Sequence, residues 1–295
     1  MRISTQTDLM DKYLSKEEIV KMLKDAGFTA VDWSFFEMLN CEGVWCTDEW
    51  ESAAKQLRAA ADEAGIVFNQ AHAPFPTSRG TEEFDGPMLE RIKRSIRVAA
   101  ILGVKNIVVH PMTHLHYQEA GNKEKLFEMN VAMYKSLMPL CEELGICVCT
   151  ENMWTRDKNR GYIIDSVCAQ PAEFAAMIDA VDSPYLKGCL DVGHCALVGI
   201  DPCEAIRVLG HDRLKALHVH DVDYLSDCHT LPFMEKLDFE SICKALGEID
   251  YTGDLTLEAN NFIRSFPKAL LPEACRLMAK TAGYLAERID HYRVK

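Results

Sequence analysis

Strand-like and helix-like segments alternate eight times between the first residues of the chain and its last, with no composition break between them. The strand-like runs are MRIST at the start, TAVDWSF (29–35), IVFNQAHA (66–73), KNIVVH (105–110), ICVCTEN (146–152), LKGCLDV (186–192), LKALHVH (214–220) and DLTLEA (254–259). Each is short, apolar or β-branched, and bounded by Gly, Pro or Asp. The helix-like stretches between them include SKEEIVKMLKDAG, with a Ser cap and a closing Gly, and PMLERIKRSIRVAAILG, which opens on Pro; the final one runs from about Pro267 to His291. Their first and last residues are those that helix ends favour. Eight strand-then-helix units without a Pro/Ser/Gly-rich linker predict an α/β fold, a single (β/α)8 TIM barrel over residues 1–295, rather than two domains.

In such a barrel the reactive groups lie at the C-terminal ends of the strands. Ionisable residues gather there: His72 in strand three, His110 in strand four, Glu151 in strand five, Asp191 and His194 after strand six, and His218 and His220 in strand seven. Asp227 and His229 follow in SDCHTLP, and Glu258 ends strand eight. The side-chain period of two turns Glu151, Cys149 and Cys147 to one face and Ile146 and Val148 to the other, and it pairs Glu258 with Thr256 against Leu255 and Leu257. The apolar residues face the helices and the ionisable ones face inward.

A lone strand-end His is most often a hydrogen-bonded structural residue, but convergence of so many on one rim is a different observation. Glu151, Asp191 and Glu258 could not be buried together as bare carboxylates without a compensating cation. A divalent metal is the economical solution, and mixed carboxylate and imidazole donors suit Mn²⁺, Zn²⁺, Co²⁺ or Fe²⁺ rather than Ca²⁺. Cys195, next to His194, is the one thiol that could neighbour it.

The ordered series HAP, VVHP, EN, DVGH, HVHD, DxH and LE, spread from Ile66 to Glu258, resembles the xylose isomerase-like barrel superfamily, which covers sugar phosphate isomerases and epimerases and endonuclease IV. The resemblance implies a metal held by Glu151, Asp191, His218 and Glu258, with His218 preferred to His220 because the family's strand-seven His precedes a residue pair ending in Asp. It also implies that Glu151 and Glu258 act as the acid/base pair and that His194 contacts a sugar hydroxyl. The implied activity is a metal-dependent isomerase or epimerase of a sugar, sugar phosphate or inositol derivative, acting through an enediolate. That chemistry needs a positioned base, an acid, and a stabilised oxygen. A dehydratase or lyase would share the same groups.

Endonuclease IV holds three zinc ions, and His72, His110, His194, Asp227 and His229 would complete such a set, as a second metal site or as substrate contacts. Two features stand against that alternative: NMWTRDKNRG follows Glu151 where the endonuclease has a TAGQG-like run, and Lys+Arg 32 against Asp+Glu 45 gives a net charge of −13, which repels a polyanion. The expected partner is therefore a small sugar and not nucleic acid.

In NMWTRDKNRG, Trp154, Arg156, Lys158 and Arg160 read either as a lid, with the indole on a sugar face and a cation on a phosphate, or as a solvated loop. His220 is a further candidate substrate contact, and Phe75 is read as a core residue with a place in the pocket wall as the alternative. The opening MRISTQTDLMDKY lacks a signal-peptide apolar stretch, no run of 18 apolar residues occurs, and the 12 Cys are scattered without a CxxC pair. A cytoplasmic protein with reduced thiols, free of the membrane and with homo-oligomers expected by resemblance, follows. A barrel that only binds a ligand is the reading from another class; its rim would be expected to have lost some of these groups.

Overall fold

A computed structural model describes residues 1–293, so the last two positions of the expected 1–295 barrel lie outside the described residues. The strands are β1 (Ile3–Thr5), β2 (Ala30–Ser34), β3 (Val67–His72), β4 (Asn106–Val108), β5 (Cys147–Glu151), β6 (Trp154–Arg156), β7 (Ile163–Asp165), β8 (Leu186–Asp191), β9 (Leu214–His218) and β10 (Leu255–Leu257). Strands β2, β3, β4, β5, β8 and β9 form one parallel sheet in that order, and β1 pairs in parallel with β10. Isolated parallel bridges, Gln6 to Asp32 and Val219 to Leu257, join the two sheets at both edges and close the ring. All eight expected barrel strands are present, each within the span anticipated for it.

The helices are α1 (Lys16–Ala26), α2 (Trp50–Ala64), α3 (Glu82–Leu102), α4 (Asn122–Leu144), α5 (Pro171–Val181), α6 (Val192–Leu197), α7 (Pro202–Arg213), α8 (Phe239–Glu248), α9 (Asn260–Arg264) and α10 (Leu271–Tyr292). Ser15 and Glu18 form a reciprocal capping box on α1, which ends at Gly27 in the left-handed region. Two helices depart from expectation. α3 begins at Glu82, five residues before Pro87, because Glu82, Glu83 and Asp85 suit a helix N-terminus; Pro87 lies inside it and leaves the Glu83 carbonyl without its helical N–H donor. α7 continues to Arg213 past a non-helical Gly210.

The alternation of the strands sorts the interior into two compartments. Ile146, Val148, Leu255 and Leu257 join Ile19, Leu23, Leu57 and Ile96 in the layer between sheet and helices. Val108, Cys149, Cys189 and Ala216 form a separate small plug inside the barrel. Beside this plug run polar pairs, Ser4 Oγ with Thr256 Oγ1 at 2.9 Å and Gln70 Nε2 donating to Asp32 Oδ2 at 3.1 Å. All twelve cysteines are free thiols. Among the described residues no helix is long and apolar enough to cross a membrane.

The segment after β5 is neither a plain loop nor a closed lid: β6 and β7 pair as a short antiparallel hairpin, Trp154 opposite Asp165 and Arg156 opposite Ile163.

Candidate metal centre and pocket

Asp-Val-Gly-His at 191–194 is a strand end and a helix start at once. Asp191 is the last residue of β8 and the N-cap of α6, its carboxylate accepting the His194 backbone N–H at 2.7 Å. Asn152, just beyond β5, fastens the same corner: its amide donates to the Asp191 carbonyl at 2.9 Å, its side-chain oxygen accepts from the Asp191 N–H at 2.8 Å, and its own carbonyl lies 2.8 Å from His194 Nδ1. One polar side chain thereby sets the register between two strand ends.

The other strand ends converge on Glu151. Its Oε1 lies 3.2 Å from His218 Nδ1 and 3.5 Å from His194 Nδ1, and its Oε2 lies 2.9 Å from His110 Nε2 and 3.9 Å from His72 Nε2. Glu258 Oε2 is 3.1 Å from the same His218 Nδ1, while Gln6 Nε2 donates to Glu258 Oε1 at 2.9 Å. On the far side of the His218 ring, Nε2 faces Asp32 Oδ2 at 3.7 Å. A second knot joins it: His220 Nε2 is 3.0 Å from Asp191 Oδ1, and His229 Nε2 is 3.0 Å from Asp227 Oδ2, with the two imidazoles stacked 4.1 Å apart.

Five sets of donor atoms result, each mutually within 4.8 Å: Glu151, Asp191, His218 and Glu258; His72, His110 and Glu151; His194, His220, Asp227 and His229; and two that overlap the first, His72 with His218 and Glu258, and Glu151 with Cys189 and His218, so that Cys189 rather than the expected Cys195 is the thiol among the donors. All of the first four residues are buried. His72 Nε2, Glu151 Oε2, His218 Nδ1 and Asp227 Oδ1 are buried without a hydrogen-bond partner. Orphans of this kind are rare in a folded protein, and here carboxylate and imidazole atoms face one another across the gap a cation would fill. The residues present fit a divalent metal.

Electrostatics follow from this crowding. Burial opposes charge on Glu151, yet the surrounding His218 and His110 hold its carboxyl well below the ordinary range. Asp191 drops to about 2 because His194 and His220 outweigh burial. Burial dominates at Glu258 and lifts it to about 7. Burial also depresses His72, with His110 and His218 adding to it. At His218 burial is outweighed by Cys189 and then Glu258 and Glu151, at His194 by Asp191, Asp227 and Glu151, so that both are raised, and His229 is raised to about 9 by Glu258 and Asp227.

An imidazolium has no lone pair for a metal, so uptake must expel these protons. Apparent metal affinity should therefore rise between pH 6 and pH 9 as His218, the raised imidazole of the four-residue set, gives up its proton, with protons released on binding. Calorimetric titration of the metal-free protein in buffers of different ionisation enthalpy checks this; affinity independent of pH over that range would contradict it.

Above the donor cluster opens a cavity of about 430 Å³. Glu151, His110, His194, Asp227, His229 and Glu258 reach its floor, and Leu9, Phe36, Phe75, Met153 and Trp154 give it apolar walls. His72, Asp191 and His218 lie beneath, fully buried. Phe75, expected in the core, stands in the wall, edge-on to His110 at 4.4 Å. Trp154 lines the cavity and donates its indole N–H to Asp227 Oδ2 at 3.2 Å.

Two expected substrate contacts are not brought to the cavity. Arg156 is exposed on the hairpin, donating to the Gly161 carbonyl at 3.0 Å and lying over the outer side of Trp154, because the short β6–β7 turn folds its chain back along the hairpin. His220 is fully buried behind Asp191, where it orients that carboxylate. Asp8, Asn260, Asn261 and Arg264 line the cavity and were not anticipated; nor were Gln6, Asp32 and Asn152 behind it. Asp32 is a buried polar residue within β2 and Gln6 follows β1, bridged to Asp32, so neither stands at a strand end where the anticipated rim residues do.

A family model described as xylose isomerase-like TIM barrel matches residues 20–281. Among curated relatives, an uncharacterized protein y4fM of Sinorhizobium fredii is 26% identical over 80% of this chain and 78% of that protein. A probable endonuclease 4 of Enterococcus faecalis is 29% identical over 54% of this chain and 56% of its own length. Among solved structures, a D-tagatose 3-epimerase-like protein superposes with a TM-score of 0.73 at 20% identity, covering 99% of this chain and 98% of that one. The IolI protein with a bound zinc atom gives 0.74 at 14% identity, with full coverage of both. At such identities the superpositions speak for the fold alone.

Proposed function

Because the chain belongs to the xylose isomerase-like TIM barrel family, we propose that it is a metal-dependent isomerase or epimerase of a small polyhydroxylated carbonyl compound, a sugar, sugar phosphate or inositol derivative. The observation that carries this reading is the clustering of Glu151, Asp191, His218 and Glu258 donor atoms within 4.8 Å at the floor of a cavity of sugar size. The family's epimerase-like and zinc-containing structural neighbours support it. On this reading one barrel domain, residues 1–295, acts on a small molecule in the reducing cytoplasm, in keeping with its twelve free thiols and its net charge of −13.

Glu151, Asp191, His218 and Glu258 would hold Mn²⁺, Zn²⁺ or Co²⁺. When bound, such an ion supplies a Lewis acid that stabilises negative charge developing on a substrate oxygen. The chain's own residues do the rest. Glu151, ionised, takes the proton from the carbon beside the carbonyl; Glu258, carrying a proton, gives it to the resulting enediolate. Asp32 and Gln6 hold His218 and Glu258 in place from behind. Trp154, tied to Asp227, offers an apolar face to the sugar and helps exclude water.

A second reading, a zinc phosphoesterase, is favoured by the two further donor sets around His72 with His110 and around Asp227 with His229, and by the endonuclease 4 relative. One experiment separates them. The metal-free protein is reconstituted with Mn²⁺, Co²⁺ or Zn²⁺ and incubated in D₂O with ketoses, their phosphates and a ketoinositol, and separately with an abasic duplex. Deuterium entering one carbon beside the carbonyl, with epimer or isomer formed, supports the proposal; loss of water from the substrate marks the dehydratase variant. Strand cleavage without any deuterium exchange would replace the proposal with the second reading, and failure to bind any of the three metals would end both.

A further inference from the structure

The cavity is lined by four carboxylates, Asp8, Glu151, Asp227 and Glu258, and by one permanently charged cation, Arg264. The three cations expected to meet a phosphate are engaged elsewhere: Arg156 with the Gly161 carbonyl, Lys158 with Glu119 at 3.2 Å, and Arg160 with the Tyr162 hydroxyl at 2.9 Å. Arg264 differs from them in lining the cavity, and among the described residues it has no carboxylate partner; its guanidinium is 3.5 Å from Asn261 Oδ1. Several other arginines of this acidic chain are paired with carboxylates, Arg207 with Glu248 and Arg213 with Asp179 among them.

The helix bearing Arg264 is fastened to the donor cluster itself. The Asn261 backbone N–H donates to the His229 carbonyl at 3.1 Å, its side-chain amide donates to the Cys228 carbonyl at 2.9 Å, and Ile263 is buried. Arg264 thus stands at a set offset from His229 and Asp227, on the outer wall, with its fork of donors free. A planar guanidinium is the side chain best matched to a carboxylate or phosphate. With the floor's carboxylates and a metal engaged with substrate hydroxyls, Arg264 is the cation of the lining left for an anionic group, so charge complementarity places that group at its guanidinium.

We propose that Arg264 forms an anion-recognising subsite, and that the substrate is a polyhydroxylated compound ending in a phosphate or carboxylate. This rests on the sugar reading above and names its substrate class. The test uses three matched acyclic probes, sorbitol, gluconate and sorbitol 6-phosphate, titrated calorimetrically into the Mn²⁺-reconstituted protein and into its Arg264→Gln variant. An anionic probe should bind about tenfold tighter than sorbitol, and Arg264→Gln should abolish that advantage while leaving sorbitol unchanged. Which probe gains distinguishes phosphate from carboxylate. Equal binding of all three, or an advantage that survives Arg264→Gln because the anion sits on the metal, overturns the subsite and leaves the sugar reading intact. Failure of all three to bind overturns both. Arg264 is exposed, so the variant should fold as the parent does.

Discussion

Turnover should fall by about a thousandfold or more in Glu151→Gln, and the variant should lose metal with it. Glu151 belongs to three of the donor sets, as His218 does, and it joins the His110 side to the His218 side, with Oε1 facing His218 and His194 and Oε2 facing His110 and His72. Gln keeps the shape but replaces one oxygen by an NH₂ donor, and either orientation points that donor at imidazoles or at the metal position. Loss of general base catalysis alone accounts for about 10²–10⁴, and loss of a charged ligand adds to it. Glu258→Gln should part company with this variant. Glu258 is raised from 4.5 to about 7, so burial favours its neutral form; the corresponding stability is present below pH 4.5 and lost as pH rises through 7. Gln mimics the neutral form and still accepts from Gln6 Nε2. Metal-free Glu258→Gln should therefore melt a few degrees above the parent at pH 8 and match it at pH 4, while turnover is lost. Metal content, thermal unfolding at both pH values, and kcat/KM on the wild-type substrate read all of this. Full turnover by either variant would sink the acid/base assignment, and unchanged metal content in Glu151→Gln would remove it from the ligand set.

What the sequence made legible is the part governed by period and by position along a strand. Residues alternating as Cys147, Val148, Cys149, Thr150, Glu151 declare an inner and an outer face, and the two compartments of the core follow that division. Charged residues at the last positions of apolar runs declare a rim; the selection of Glu151, Asp191, His218 and Glu258 from it came from the family resemblance, and their donor atoms lie together. Residues whose role depends on a neighbour far along the chain carried no such signal. Asn152 reaches Asp191 across the neighbouring strands β5 and β8, while Gln6 reaches Glu258 and Asp32 reaches His218 over separations that the closed barrel brings together. Arg264 sits on a helix of five residues, too short to show a helical period. The hairpin misled for a different reason: Trp154 and Arg156 share a strand face in principle, but the antiparallel turn leaves the indole half-buried against Asp227 and the guanidinium outside it in solvent.

Gly193→Ala should cripple the centre without altering any donor atom. Helix propensity alone favours the change, since Ala in place of Gly inside α6 would gain up to about 1 kcal/mol. Sterics oppose it more strongly. A Cβ on Gly193 would stand 2.2 Å from His220 Cε1 and 2.6 Å from its Nε2. That ring is fully buried, held 3.0 Å from both Asp191 oxygens on one side and stacked against His229 on the other, so it has nowhere to retreat without displacing Asp191 or Asp227 through His229. Overpacking of this kind costs about 1–3 kcal/mol, and disturbing the group that orients a ligand costs about 10–100-fold in metal affinity. The balance predicts a lower melting temperature and weaker metal binding. Gly283→Ala supplies the contrast: it lies inside α10, a Cβ there meets nothing within 4 Å, and propensity acts unopposed, so that variant should melt higher with metal affinity unchanged. Thermal unfolding and Mn²⁺ titration of the pair decide the matter. If Gly193→Ala instead tracks Gly283→Ala, rising in stability and keeping its metal, then His220 is free to move and does not hold Asp191 in place.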